Sequence, residues 1–194
     1  MRNAEVIRKT AETDIRVRIE LDGEGKSSVS TGVPFMDHML TLFAKHGLFD
    51  LEVQANGDLE IDAHHTMEDL GLTLGEALLN AVGDKKGINR YGHFTLPMDE
   101  TLAQVALDLS GRPYLVYKPG EPKDYIKDLD TALFKEFFVA LSNKCQMNLH
   151  IHILESGETH HIFEAIFKCF ARALSMAVAI NPRVKGVPST KGSL

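Results

Sequence analysis

Apolar residues alternate with charged ones at Ile15, Val17, Ile19 and Leu21, separated by Arg16, Arg18 and Glu20. This period of two marks a strand with one buried face. A turn at DGEGK (22–26) and a short polar strand, SSVST (27–31), follow. The period then lengthens: Phe35, Met39, Leu42 and Phe43 recur at helical spacing, and Gly47 is the expected stop. LFDLEVQA (48–55) reads as strand again and DLEID (58–62) as a further short strand. From His64 a second helix carries Leu70, Leu74, Leu78 and Ala81 in one apolar stripe. The unit reads β-β-α-β-β-α.

The unit is then written a second time. HHTMEDLGLTLGEAL (64–78) lies over HHIFEAIFKCFARAL (160–174) without a gap, matching both histidines, the glutamate and the closing Ala-Leu. Upstream, the segment from His38 lies over the segment from Glu136, so that Leu40, Leu51 and Val53 face Phe138, Leu149 and Ile151. ETDIRVRIELDG, from Glu12, pairs with ETLAQVALDLSG, from Glu100. Residues 1–194 are therefore expected to form a single domain of two pseudo-repeats, about 10–85 and about 98–182, followed by a C-terminal tail, 183–194. Burying every apolar face calls for an α+β fold with internally duplicated halves: two four-stranded sheets with four helices packed between them.

Composition narrows the function. With 44% hydrophobic and 25% charged residues, the 194-residue chain is ordinary for a folded protein. No apolar run reaches the roughly 18–20 residues of a membrane span, and MRNAEVIRKT lacks the apolar core of a signal peptide. A cytoplasmic location with no membrane partner is expected. Cys145 and Cys169 form no CxxC pair, which argues against a disulfide framework and a thiolate zinc site. A net charge of −6 argues against a nucleic-acid partner but leaves room for a small anionic ligand. DGEGKSS is no P-loop, because Glu20 stands where a glycine is needed and a strand follows rather than a helix.

Nine histidines, four of them in the two doublets, change the picture most. On a helix His64 and Glu68 share one face and His65 points about a quarter turn away; His160, Glu164 and His161 repeat the arrangement. Each His/Glu pair can chelate one ion, and each remaining histidine is free to reach the other's metal. Crossing in this way gives His64, Glu68 and His161 at one ion, and His160, Glu164 and His65 at the other. The repeat alignment adds His38 and Glu136; His150, which aligns with the strand residue Glu52, is the weaker choice. A single His-His-x-x-Glu at a helix start is more often a cap or surface feature, whereas two in matched repeats favour metal. Imidazole and carboxylate without thiolate suit Mn, Fe, Co, Ni or Zn.

PFMDHM, DAHHTMEDLGLTLGEAL, THHIFEAIFKCFARAL and PSTKGSL closely resemble the imidazoleglycerol-phosphate dehydratases, and the likeness covers essentially the whole chain. The resemblance implies dehydration of D-erythro-imidazole glycerol phosphate to imidazole acetol phosphate, a late step of histidine biosynthesis. It also implies two manganese ions and a homo-oligomeric shell of 24 subunits with metal sites between subunits. By the same resemblance His38, His64, His65, Glu68, His160, His161 and Glu164 are metal ligands. Glu136 stands where many members have histidine before Phe-Phe, and a carboxylate there can still ligate manganese. The carbon that loses its proton has no neighbouring carbonyl, so the substrate's imidazole must hold the charge, with the metals as Lewis acids and template.

The resemblance further makes Glu12 the acid–base candidate and His46 a substrate contact with a catalytic role. On the residues alone, Glu12 reads as a surface glutamate at a strand start, and His46 as a cation near a helix C-terminus. Arg90, Arg112, Lys168, Ser189, Thr190 and Lys191 match the family's substrate-binding positions, alongside His38, His64, Glu68 and His160. Guanidinium forks and a lysine suit a phosphate dianion. Lys168 is four residues beyond Glu164 and so projects from the same helix face. The same ligands would also serve a dinuclear metal phosphoesterase or a non-catalytic, metal-assembled shell protein.

Overall fold

The computed structural model describes residues 2–194. The first half contains β1 (Asn3–Lys9), β2 (Thr13–Glu20), β3 (Ser27–Ser30), α1 (Pro34–Gly47), β4 (Asp50–Gly57) and α2 (His64–Val82). The second contains β5 (Tyr91–Met98), β6 (Thr101–Asp108), β7 (Tyr114–Lys118), the small hairpin β8 (Tyr125–Ile126) and β9 (Leu129–Asp130), then α3 (Leu133–Cys145), β10 (Asn148–Glu155) and α4 (Thr159–Val178). The two main sheets have matching topology, β1-β2-β4-β3 and β5-β6-β10-β7, each with its last strand parallel to its neighbour. Register repeats as well: Val17 lies opposite Val53, and Val105 opposite Ile151. These are the pairs that the sequence superposition matches.

The helices lie between the sheets. α2 packs on β1 and β2, α4 on β5 and β6, and the two layers meet where α2 packs on α3 and α1 on α4. Ile15, Val17 and Ile19 are wholly buried beneath them, while Arg16 and Arg18 face outward. The expected α+β fold, with four helices between two four-stranded sheets, is present. No helix among the described residues is long and apolar enough to cross a membrane.

Element order within each half differs from the expected β-β-α-β-β-α. The extra strand is β1 or β5, ahead of the others, and DLEID (58–62) forms no strand. Its aspartates are committed elsewhere: the backbone closes a turn from Ile61 N–H to the Asp58 carbonyl (2.9 Å), Asp62 Oδ1 accepts from His64 N–H (2.7 Å), and Asp58 Oδ2 meets His65 Nδ1. Side chains that bind nearby groups draw the backbone away from a ladder. β1 lacked a clear apolar alternation because one of its inward positions is Arg8, which is paired with Asp69 of α2 at 2.7 Å, while Ile7 faces solvent. α1 ends at Gly47 as expected, but the left-handed residue is Leu48 (φ 59°). Gly47 instead admits the Phe49 ring, which a Cβ there would meet at 2.3 Å.

Backbone approach between sheet and helix is closest at Gly92 of β5, where an added Cβ would lie 1.8 Å from the Ala173 carbonyl oxygen of α4. Because that obstacle is backbone, the helix itself must shift. Gly92→Ala is expected to cost about 3 kcal/mol, and a thermal melt matching wild type would show that α4 can move freely over β5.

Candidate metal and active site

Both doublets occupy the first turn of a helix, and a carboxylate two residues upstream holds each. Glu158 Oε2 accepts from the N–H groups of His160 (2.7 Å) and His161 (3.4 Å), as Asp62 does from His64. On α4, His160 Nε2 lies 4.0 Å from one Glu164 oxygen, and His38 Nε2, from α1, lies 3.4 Å from the other. Phe35 packs edge-on against the His160 ring at 5.2 Å between centroids. Ligand atoms of His38, His160 and Glu164 all lie within 4.8 Å of one another. Donors about 2.0–2.2 Å from a shared ion need a similar spacing, so this nitrogen and oxygen set fits a divalent metal. Glu164 is only 8% exposed, and Lys168 Nζ reaches its Oε1 at 3.3 Å. A buried carboxylate of this kind requires cationic or hydrogen-bonding partners.

The second histidine of each doublet turns to a different carboxylate. His65 Nδ1 lies 2.9 Å from Asp58 Oδ2 and 3.8 Å from Glu12 Oε2. His161 Nδ1 lies 3.1 Å from Glu100 Oε2, with Asp99 also in the group. The Asp58 and Glu100 hydrogen bonds raise the pKa of His65 and His161, respectively. Glu100 itself is held down to about 2, first by the backbone N–H of Glu158, with the His161 bond contributing. Sequence reasoning did not single out Asp58 or Glu100 as site residues. Glu100 was visible as the repeat mate of Glu12, and Asp58 was concealed by the strand-like alternation of DLEID.

Within one chain the crossed ligand sets are not brought together. His160 and Glu164 are joined by His38 rather than His65, and His161 lies with Glu100 and Asp99. His64 and Glu68 approach to 4.0 Å with side chains 44% and 50% exposed, and among the described residues no third histidine or acid joins them within ligand distance. Glu136, half-buried in the first turn of α3, lines a hollow with Tyr117, Lys135 and Phe163. His150 is exposed, on the face of β10 opposite the inward-pointing Leu149 and Ile151. That orientation takes it away from the helices.

The basic residues form a separate pocket. Arg90, Arg112, Ser189, Thr190 and Lys191 line it together. Arg90 makes a forked pair with Asp108 (2.6 and 3.0 Å) and donates to the Pro188 carbonyl (2.9 Å), so it ties the C-terminal tail to β6. Lys168 lies apart from this pocket, on the α4 face beside Glu164. His46 is half-buried in the last turn of α1. Burial lowers its pKa, and the charges of Lys168 and Arg172 lower it further, which favours neutral imidazole.

Fold and site thus define a duplicated α+β protein with candidate metal-ligand groups at the starts of its helices and a basic pocket suited to an anion. The family model for imidazoleglycerol-phosphate dehydratase matches residues 31–174. The imidazoleglycerol-phosphate dehydratase of Heliobacterium modesticaldum is 58% identical over 195 residues, covering all of both chains. That of Pelobacter propionicus is 55% identical over 193 residues, covering 100% of this chain and 99% of its own. Among solved structures, the Staphylococcus aureus enzyme superposes with a TM-score of 0.83 at 40% identity, covering 92% of this chain and 99% of its own. The chain belongs to the imidazoleglycerol-phosphate dehydratase family, hydro-lyases of histidine biosynthesis.

Proposed function

We propose that this chain dehydrates D-erythro-imidazole glycerol phosphate to imidazole acetol phosphate with two manganese ions per active site. It does so in the cytoplasm, as a shell of 24 copies, each a single catalytic domain of two repeats and a substrate-binding tail. Beyond family membership, the observation that supports this most is the convergence of His38, His160 and Glu164. His64 and Glu68 supply a second pair of ligands with an open side, which suits completion by His161 of another copy, and equally His65 completes the His160 and Glu164 set across the interface. Glu136 is the remaining ligand. When bound, manganese supplies Lewis acidity and a template.

The chain's own groups do the rest. Glu12 presents an exposed carboxylate with no hydrogen bond to its side chain among the described residues, free to hold and move a proton at Oε2. His46, biased toward the neutral form, offers the substrate both a donor and an acceptor. Arg112, Lys191 and the Ser189 and Thr190 hydroxyls bind the phosphate, Arg90 holds the tail over it, and Lys168 adds positive charge from the metal-bearing face. Closing the tail over the phosphate excludes water from the site.

The decisive assay incubates metal-reconstituted protein with imidazole glycerol phosphate and follows both imidazole acetol phosphate and free phosphate. Formation of the ketone supports the dehydratase. Free phosphate without ketone would identify a phosphoesterase, and no turnover with any divalent metal would leave a metal-assembled shell protein. If the sites lie between subunits, a chelator is expected to shrink the particle, as measured by light scattering; an unchanged size would count against metal sites that hold the subunits together.

A further inference from the structure

Glu12 and Glu100 occupy the same place in the two halves. Each precedes a buried threonine, Thr13 or Thr101, at the start of equivalent strands, β2 and β6. Their surroundings differ because the connections that lead to the doublets differ in length. Six residues (58–63) separate β4 from His64, and four (156–159) separate β10 from His160. Asp58 therefore has no acidic counterpart. Counting forward from the strand reaches Ser156, and counting back from the doublet reaches Leu154.

In the second half Glu100 fills the role left open. Its Oε2 lies 3.1 Å from His161 Nδ1 while Oε1 accepts from Glu158 N–H at 2.6 Å. Gly157 permits that seat, since a Cβ there would lie 2.1 Å from Glu100 Oε1. In the first half the Asp58 carboxylate bonds to His65, and its buried Oδ1 has no hydrogen-bond partner among the described residues. Glu12, at 3.8 Å, is not needed to hold that ring.

We propose that Asp58 and Glu100 are the positioning carboxylates of His65 and His161, and that Asp58, by taking this task in the first half, leaves Glu12 free for proton transfer. A carboxylate on Nδ1 fixes the tautomer and the ring plane and leaves Nε2 as the unprotonated donor. The assignment rests on reading His65 and His161 as metal ligands.

The test is Mn2+ affinity, titrated by electron paramagnetic resonance on metal-stripped, full-length protein without substrate. Asp58→Ala and Glu100→Ala are each expected to weaken binding about 10–100-fold, while Glu12→Ala, at the same repeat position as Glu100, leaves it unchanged. Glu100→Gln keeps one oxygen, which at the Oε1 position lies within reach of both Glu158 N (2.6 Å) and His161 Nδ1 (3.2 Å), and recovers part of the loss. Three results overturn the assignment: wild-type affinity in Glu100→Ala with only a lowered melting temperature, a loss in Glu12→Ala equal to that in Glu100→Ala, or a Glu100→Gln loss as large as that of Glu100→Ala, which would make Glu100 a ligand. Should Glu100→Ala fail to fold, Glu100→Gln decides, with a partial loss in support, and either unchanged binding or a loss as large as that of the ligand variant Glu164→Gln against. Because substrate is absent, a failed dehydration assay leaves the affinity contrast intact, and a failed contrast leaves the dehydratase reading intact.

Discussion

Glu12→Gln is expected to lower kcat about 10³-fold, within the usual range for loss of a general acid–base group, while metal content and particle size stay at wild-type values. Geometry makes the expectation sharp. The backbone around Glu12 is held by Thr10, whose Oγ1 accepts from the N–H groups of Glu12 (3.1 Å) and Thr13 (3.0 Å). The side chain takes no part in that turn, and its Oε2 lies 3.8 Å from His65 Nδ1. Glutamine keeps the shape but cannot exchange a proton as a carboxylate does. Steady-state measurement of kcat beside bound manganese separates the two roles, and a fully active variant would remove Glu12 from the chemistry.

A second large effect is expected at Glu164. Its carboxylate is buried between His38, His160 and Lys168, so Glu164→Gln removes the anionic donor of the set and also leaves the Lys168 ammonium, 18% exposed, without its partner. Manganese affinity should fall about 100-fold or more, beyond the loss expected from a group that only orients a ligand. The metal-free protein should also melt at lower temperature, because an uncompensated cation is left half-buried. Glu68→Gln supplies the contrast. Glu68 is exposed, with His64 as its near partner, so that variant should lose metal and loosen the oligomer while the metal-free subunit melts normally. Equal metal-free melting curves for the two variants would mean that the Glu164 and Lys168 pair contributes nothing, and undiminished metal binding in Glu164→Gln would exclude it as a ligand.

Much of this architecture is legible in the sequence, because duplication leaves two independent records of every position. The alternation from Ile15 to Leu21 and the stripe Leu70, Leu74, Leu78 state their periods plainly, and superposing the segments upstream of the doublets, two residues out of step with them, aligns His38 with Glu136 at equivalent points of α1 and α3. β1 escaped because an inward-facing position carries Arg8, whose charge is neutralised by Asp69, sixty-one residues away. Pairing across that distance has no local signature. DLEID misled for the reverse reason: its alternation is real, but Asp58 and Asp62 serve the histidines that follow, and hydrogen bonding to side chains outweighed a short ladder. The crossed ligand sets could be read as a pattern but not as a single-chain geometry, because helix faces give directions and only packing gives neighbours. α1 lies against α4, which brings His38 to Glu164.

The two-residue difference between the connections that precede the doublets bears on how the enzyme tells left from right. Two near-identical halves build a frame with approximate twofold symmetry, and imidazole, with a nitrogen on either side, could lie in such a frame in either of two flips. With Asp58 holding His65 in one half and Glu100 holding His161 in the other, the glutamate at the shared repeat position is left without a hydrogen bond, among the described residues, on one side only. On the proposed chemistry, Glu12 as the one proton-carrying glutamate gives the symmetric cradle a handedness, so that only one of the two flips is productive.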